Sequence, residues 1–314
     1  MAQETKVENV LTILSGCIIH LMNGCFYLWG SISTYITSYF QLRDNPGLKT
    51  SLAGSLFLFA AISQAVGMPF SVGFAKKVTI RYAYLIGGIL FIANVIICSF
   101  LENFWVFFAI YGIGFSLTAG LMYISPIFVA CKIYPQHKGL LTGLVVACFG
   151  VSSAIIQLFV LAIVNPDDVK PTRLVNGDKL YDAEIADRLP KAFRVMAIYF
   201  AGLTLISFFM FRRKGLEKED ASAHNSLLLD DDNMEVKVQS ESIRKYLLQS
   251  KFWYIFTMNS LSSAYCLWNA SKYKDFGFKH NYDDAFLTIL GSIGLVFNGF
   301  SRLAFGRLAD YIKV

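Results

Sequence analysis

Charged residues are scarce in this sequence. Asp, Glu, Lys and Arg make up 16% of the 314 residues, whereas hydrophobic residues make up 55%. Soluble domains average roughly 25% charged residues. The apolar residues collect in runs of about twenty, the length that crosses a hydrocarbon core roughly 30 Å thick. The sequence therefore predicts an all-α polytopic membrane protein and excludes an ordinary soluble domain.

Patterns that bind metals or form disulfides are also lacking. The six cysteines are scattered, and no CxxC pair or Cys/His spacing accompanies them. This pattern indicates neither a disulfide framework nor a metal site. The sequence also shows no nucleophile–base pair and no phosphate-binding loop. We therefore predict no cofactor and a protein that is not an enzyme.

The apolar runs predict eight transmembrane spans, which lie in two bundles joined by a polar linker. Residues 1–214 form a six-helix bundle, residues 215–251 a polar linker, and residues 252–314 a partial second bundle of two helices. The spans are predicted at about 10–40, 52–74, 82–100, 105–130, 140–164, 193–211, 252–270 and 284–310. Long polar loops are predicted at 165–191 and 272–284, and a short amphipathic helix at 240–249, after the acidic run 230–232 of the linker.

The net charge of +6 is explained by the loops between these spans. Basic residues follow the second, fourth and sixth spans, as in Lys76-Lys77 and Arg212-Arg213-Lys214. Cytoplasmic loops carry such an excess, so we expect the N-terminus and the linker on the cytoplasmic or matrix-equivalent side. The N-terminus shows no cleavable signal pattern, and the first span is expected to be its own signal anchor. The bilayer is a predicted partner and nucleic acid is not.

Two ionisable residues inside predicted spans are candidates for a functional role. Arg302 is in the last span, where an arginine costs about 2.5–3.5 kcal/mol at a helix centre and marks a candidate site. It could instead extend to the interface or pair with a helix dipole. His20 is in the first span, where it either satisfies a neighbouring helix or serves as a ligand or proton relay.

A weak internal repeat links the second span to the last. The segment Pro69-Phe-Ser-Val-Gly-Phe-Ala-Lys-Lys77 parallels Arg302-Leu-Ala-Phe-Gly-Arg-Leu-Ala-Asp310. Span two of the first bundle then corresponds to span two of the second. Parallel halves related by an axis along the membrane normal are a known transporter architecture.

The six-plus-linker layout and the Gly306-x-x-x-Asp310 turn resemble the major facilitator superfamily. Three segments are similar to its oxalate/formate antiporter and monocarboxylate transporter branch: NGCFYLWGSI at 23–32, YGIGFSLTAGLMYISP at 111–126 with its continuation to 150, and NGFSR at 298–302. The resemblance covers the membrane portion and not the linker. It implies transport of a small organic anion, a monocarboxylate or dicarboxylate, by alternating access.

The resemblance also implies roles for particular residues. Arg302 matches the arginine that binds the substrate carboxylate in this branch, and Asn298, Tyr27 and Tyr123 are the other expected substrate-binding residues. In the turn after the last span, Gly306 would allow a close helix approach. The aspartate of that turn, Asp310, would cap or charge-pair a neighbouring helix end.

Several positions depart from the family pattern. Lys77 stands where the first-half turn carries aspartate, and Gly30 lies near where proton-coupled members carry a lysine. Asn298 stands where those proteins carry an acidic residue. Proton coupling by that route is therefore not expected, and the sequence favours uniport or exchange.

The length departs from the family pattern too. Members have twelve helices in two halves, so the chain is expected to be truncated after the eighth. The alternative is a truncated, non-transporting relative that acts as a structural or assembly subunit of a larger membrane complex.

Overall fold

The computed structural model describes residues 2–212 and 247–312, and most of them are helical. Helices are expected because backbone groups in lipid must be paired within their own segment. The acidic run 230–232 and most of the predicted linker and amphipathic helix lie outside the described residues. The all-α architecture predicted from the sequence is confirmed.

The described chain contains the following elements. The first three spans comprise α1 (Ala2–Asn23), a 3-10 turn (Gly24–Leu28), α2 (Trp29–Arg43), α3 (Thr50–Gly67), α4 (Phe70–Val78) and α5 (Ile80–Cys98). The next two comprise α6 (Phe104–Phe107), a π-helix (Phe108–Phe115), α7 (Ser116–Leu121), α8 (Ile124–Ile133), a 3-10 turn (Pro135–His137) and α9 (Lys138–Val164). The rest comprises β1 (Arg173–Val175), β2 (Asp178–Leu180), α10 (Ala183–Ala186), α11 (Leu189–Met210), α12 (Ser250–Lys279) and α13 (Asp284–Ile312).

The chain divides into two compact units. One comprises Met1–Arg213 and Ser271–Val314, and the other comprises Lys214–Ala270. The candidate site residues all belong to the first unit. At its centre lies α2, in which every residue from Trp29 to Gln41 is buried. Such a helix faces neighbouring helices on all sides.

Seven described helical segments are long and apolar enough to cross a membrane. They are Lys6–Arg43, Thr50–Gly67, Ile80–Cys98, Phe104–Ile133, Pro135–Val164, Ala183–Met210 and Asp284–Ile312. The predicted span at 252–270 lies within α12, which is not among the seven. Its Asn, Ser and Tyr residues lower its hydropathy, so that crossing stays a prediction.

The length of helix α12 differs from the prediction. The predicted polar loop from residue 272 is wrong, because the helix continues without a break to Lys279. The connection to α13 is therefore only residues 280–283. Three residues of this stretch, Lys274, Gly277 and Phe278, are buried.

Two of the long spans are interrupted where the sequence contains glycine or proline. The first changes to a 3-10 turn at Gly24, where a side-chain Cβ would lie 2.6 Å from the Cβ of Ser152 on α9. The fourth breaks at Met122–Tyr123, just before Pro126. Proline cannot donate to the carbonyl four residues earlier, which is that of Met122.

The long loop after α9 is not entirely irregular. Its strands β1 and β2 form an antiparallel hairpin in which Val175 pairs with Asp178. The turn residues Asn176 and Gly177 have φ angles of 52° and 88°. Asn-Gly with two positive φ angles is typical of a tight hairpin turn, and sequence analysis could have used that signal.

Candidate functional site

Arg302 lies on α13, and its side chain is directed toward the first helices of the chain. The residue is half-buried, and its Nη2 donates to the hydroxyl of Tyr27 at 3.2 Å. It also interacts with the Tyr123 side chain. Within residues 2–212 and 247–312, no carboxylate forms a salt bridge with Arg302. A guanidinium in this position can bind a carboxylate through two parallel hydrogen bonds.

An aromatic cluster surrounds the arginine. The ring of Phe149 on α9 lies 5.2 Å from that of Tyr27 and 5.7 Å from that of Tyr123, centroid to centroid. His20 joins the cluster, 4.8 Å from the Tyr123 ring. The structure thus brings together three predicted residues: Arg302, Tyr27 and Tyr123.

Among the described residues, Asn298 forms no hydrogen bond with this cluster. It is exposed, one turn before Arg302 on α13, and its backbone carbonyl accepts from the Ser301 hydroxyl at 2.9 Å. Residues one turn apart share a helix face. A role for Asn298 in binding stays a prediction.

His20 is fully buried on α1. Its Nε2 lies 2.9 Å from the backbone carbonyl of Tyr123, in the turn between α7 and α8. Its Nδ1 has no hydrogen-bond partner in the described part of the chain. His20 therefore satisfies a neighbouring helix end with one ring nitrogen and leaves the other unused.

Helix α13 makes its most extensive contact with α9, and small residues bring the two backbones together. A Cβ at Gly143 would lie 2.5 Å from the Arg302 carbonyl oxygen, and one at Gly299 would lie 2.9 Å from the Ala147 carbonyl oxygen. Close packing of this kind is the usual role of small residues in membrane helices. The backbone of Arg302 is thereby fixed against α9.

The Gly306–Asp310 turn lies at the start of α9. Both oxygens of the Asp310 carboxylate accept backbone N–H groups, from Gly139 and Leu140, at 2.7 Å each. These amides are among the first of the helix, which have no partner within it, and a negative charge there is favourable. Gly306 packs directly on Gly139. We call this end of the α9–α13 contact the Asp310 end.

The opposite end of the same contact holds a buried ion pair that sequence analysis missed. Lys274 Nζ lies 2.5 Å from Asp284 Oδ1, and both side chains are 1% exposed or less. Asp284 Oδ2 accepts from Asn165 Nδ2 and the Tyr181 hydroxyl, at 2.9 Å each, and also from the Tyr35 hydroxyl. We call these five residues the Asp284 cluster. The sequence predicts a polar loop over both charged residues, and no local pattern marks them as buried.

Polar contacts continue from the Asp284 cluster along the α9–α13 contact. Gln157 on α9 donates to the hydroxyl of Ser292 on α13 at 2.6 Å, and its side-chain oxygen accepts from the Tyr273 hydroxyl at 3.3 Å. Helices α9, α12 and α13 are therefore linked. Within the described ranges, no three His, Cys, Asp or Glu side chains are grouped closely enough to hold a metal ion.

Comparison with known proteins identifies the family of the chain. The model of the Major Facilitator Superfamily matches residues 13–314. The chain is similar to apicoplast pyruvate carrier 1 of Toxoplasma gondii, at 23% identity over 98% of this chain and 70% of that protein. It is also similar to apicoplast pyruvate carrier 2 of the same organism, at 24% identity over 70% of this chain and 40% of that protein. The chain belongs to the major facilitator superfamily, a family of membrane transporters and not of enzymes.

Proposed function

We propose that this protein carries a small organic anion, a monocarboxylate of the pyruvate type, across its membrane by alternating access, as uniport or exchange. Arg302 binds the carboxylate, and Tyr27 and Tyr123 line the binding site. The observation that carries the proposal is the half-buried guanidinium beside two phenols with no protein carboxylate paired to it among the described residues.

The chemistry of the cluster supports an anion rather than a cation or a neutral solute. A partly buried charge is expensive unless it is paired. The Tyr27 hydroxyl accepts a hydrogen bond from Arg302 but carries no charge, so among the described residues the positive charge has no anionic partner. An anionic substrate would supply that charge, and the surrounding rings of Tyr123 and Phe149 would suit its short carbon skeleton.

The relatives support the same class of substrate. Both similar proteins are named as pyruvate carriers, and pyruvate is a small monocarboxylate. The resemblance to the oxalate/formate antiporter and monocarboxylate transporter branch points the same way. The described cluster holds one cation and defines no second carboxylate site, which favours a monocarboxylate over a dicarboxylate.

The contact between α9 and α13 supports the alternating-access step of the proposal. In alternating access, two helix bundles rock around a fixed site. Gly143 and Gly299 let the two helices touch through their backbones, so that side chains do not interlock there. Arg302 lies on this contact and would stay near the pivot while either end opens.

Uptake of labelled pyruvate into proteoliposomes that hold the purified full chain tests the proposal. We expect Arg302→Ala to weaken uptake by about 10- to 100-fold, because a charge-assisted hydrogen bond contributes roughly 1.5–3 kcal/mol. Arg302→Lys keeps the charge but loses the planar fork, and should fall in between. Arg307→Ala is the matched control, since Arg307 is an exposed arginine on the same helix.

Two results would contradict the proposal. Uptake by the Arg302→Ala variant equal to that of Arg307→Ala would remove Arg302 from the site. Wild-type protein that exchanges no pyruvate, lactate or oxalate, and that co-purifies in a defined complex in mild detergent, would favour the structural-subunit alternative instead.

A further inference from the structure

We propose that a groove between α1 and α11 is a binding site for one anionic phospholipid of the surrounding bilayer. In this assignment an acyl chain lies in the groove, and Arg81 and Arg212 bind the phosphate of the headgroup. The inference concerns the outer surface of the first bundle. It does not depend on which substrate binds at Arg302.

The groove lies beside the contact between α1 and α11. The two helices meet through small polar side chains, because the hydroxyls of Ser15 and Ser207 lie 3.2 Å apart and Ser207 also donates to the Ser15 carbonyl oxygen at 3.1 Å. Small residues of this kind let membrane helices approach closely. The open groove beside them has a volume of about 410 Å³ and is lined by Leu11, Leu205, Ile206, Phe209, Met210 and Arg212. Ligand-binding clefts have volumes of about 300–1,000 Å³.

The walls of the groove are exposed apolar side chains inside a membrane span. Leu205, Ile206 and Phe209 are 52%, 49% and 61% exposed. They belong to the segment Ala183–Met210, which is long and apolar enough to cross a membrane. Lipid tails are as apolar as leucine side chains, so an acyl chain suits this lining.

Two arginines lie at one end of the groove, where α11 ends and α5 begins. Arg212 is exposed and is itself part of the lining. Arg81 is fixed beside Phe208, four residues before Arg212. Its Nε donates to the Phe208 carbonyl oxygen at 3.1 Å, and its guanidinium carbon lies 4.1 Å from the centre of the Phe208 ring. Neither arginine forms a salt bridge with a carboxylate in the part of the chain that the structure describes.

These cations complement the phosphate of a phospholipid. Arginine binds phosphate through parallel hydrogen bonds, and the Phe208 carbonyl oxygen occupies only the Nε of Arg81. A zwitterionic headgroup carries its own cation beside the phosphate, so two arginines without a carboxylate partner favour a lipid of net negative charge. The loop charges predict this end of the bundle on the cytoplasmic or matrix-equivalent side. The cytoplasmic leaflet is the one that carries anionic lipids.

The test measures lipid binding directly. The purified full chain in detergent is titrated with phosphatidylglycerol or with phosphatidylcholine of the same acyl chains, and native mass spectrometry gives the affinity for the first bound lipid. An arginine near an anionic lipid surface contributes roughly fivefold in affinity. We therefore expect phosphatidylglycerol to bind about 5- to 25-fold more tightly than phosphatidylcholine.

Two charge variants test the headgroup contacts. Arg81→Gln and Arg212→Gln should each lower the preference for phosphatidylglycerol about fivefold, and the double variant should remove it. Arg194→Gln is the matched control, because Arg194 also lies over a phenylalanine ring, 4.9 Å from the centre of Phe100, near the start of the same helix. It should leave the preference unchanged.

A further variant tests the groove itself. Ile206→Trp places a larger side chain in the groove and should weaken the binding of both lipids. Ile198→Trp is its control, since Ile198 is 73% exposed on α11 and does not line the groove. Phosphatidylglycerol with a photoreactive diazirine on its acyl chain should label the segment 205–210 of the wild type and label it less in Ile206→Trp.

Several results would overturn the inference. Equal affinity of the wild type for the two lipids would do so, and this measurement needs no variant. A preference that survives in the folded double variant would also do so. Labelling confined to other surfaces would show that something other than a lipid tail occupies the groove. Because binding is measured without substrate, these outcomes are independent of whether the protein transports pyruvate.

Discussion

Removing the charge of Asp284 is expected to be among the most destabilising single changes in the described bundle. Asp284 and Lys274 form an ion pair with almost no solvent exposure. The variant Asp284→Asn keeps the shape of the side chain but leaves Lys274 buried with an uncompensated charge. Breaking a buried pair in this way costs about 3–5 kcal/mol. The amide must also place an NH2 group where some of the present hydrogen-bond donors point.

The converse variant, Lys274→Met, should lower the unfolding free energy by less. Lys274→Met removes the cation, but the Asp284 carboxylate keeps its donors Asn165, Tyr181 and Tyr35. Hydrogen bonds to a charged group contribute roughly 1.5–3 kcal/mol each, so most of the anion's solvation survives. The double variant Lys274→Met with Asp284→Asn contains no buried charge at this position. We expect it to be more stable than Asp284→Asn alone.

The measurement is a double-mutant cycle on the unfolding free energy of purified protein in mixed micelles, followed by helical circular dichroism. We expect the two single changes to be strongly non-additive, by about 2–3 kcal/mol, as close residues in one network are. Asp283→Asn is the matched control, because its pair with Lys170 is about half exposed on both sides. Exposed pairs contribute about 0–1 kcal/mol. Additive single changes, or an Asp284→Asn protein as stable as Asp283→Asn, would refute this reasoning.

Two further changes probe the other parts of the α9–α13 contact. Gly143→Ala should lower the unfolding free energy, because its Cβ would lie 2.5 Å from the Arg302 carbonyl oxygen, whereas Gly202→Ala has open space and should be tolerated; equal effects in a thermal unfolding assay would argue against tight packing at Gly143. Asp310→Ala should speed hydrogen exchange at the amides of Gly139 and Leu140, which donate to the Asp310 carboxylate; unchanged exchange there would show that the cap contributes nothing.

Much of the fold could be predicted from the sequence, because lipid allows few structures. A run of about twenty apolar residues in a bilayer must satisfy its own backbone and is therefore helical. This explains why seven of the eight predicted spans coincide with helices that are long and apolar enough to cross a membrane. The span at 252–270 is harder to predict, because its Ser, Asn and Tyr residues weaken the apolar signal.

The polar connections were less predictable. The charged residues between 272 and 284 predict an exposed loop, whereas the structure has a helix through Lys274 to Lys279. Lys274 is buried only because residues 35, 165 and 181, distant in sequence, come together around Asp284. No local pattern contains that information, since a buried ion pair depends on tertiary packing.

The candidate site was predicted in part. Arg302 was identified because an arginine inside an apolar span needs an explanation, and the structure places Tyr27 and Tyr123 beside it. The resemblance implied that Asp310 caps a neighbouring helix, and it does so on α9. What could not be derived was the hydrogen bonding of His20, because its partner is the backbone carbonyl of Tyr123, 103 residues away in the sequence.

The α9–α13 contact combines two kinds of interaction that suit the proposed transport cycle. At each end a carboxylate is held by several donors: Asp310 by two backbone amides, and Asp284 by Lys274 and neutral groups. Between them the contact is made by glycines. Interactions at the ends are directional and have two states, made or broken. The glycine contact in the middle is non-directional and can tolerate a small rotation.

Arg302 lies in that middle section, with its carbonyl against Gly143 and its guanidinium at Tyr27. A rotation that separates the helices at one end therefore moves Arg302 less than it moves Asp284 or Asp310. This would keep the anion in contact with the same cation while access changes from one side to the other. Under this mechanism, stabilising one end by strengthening its carboxylate contacts should slow transport without weakening substrate binding at equilibrium. Replacing Arg302 should instead weaken substrate binding at equilibrium, and uptake should fall with it.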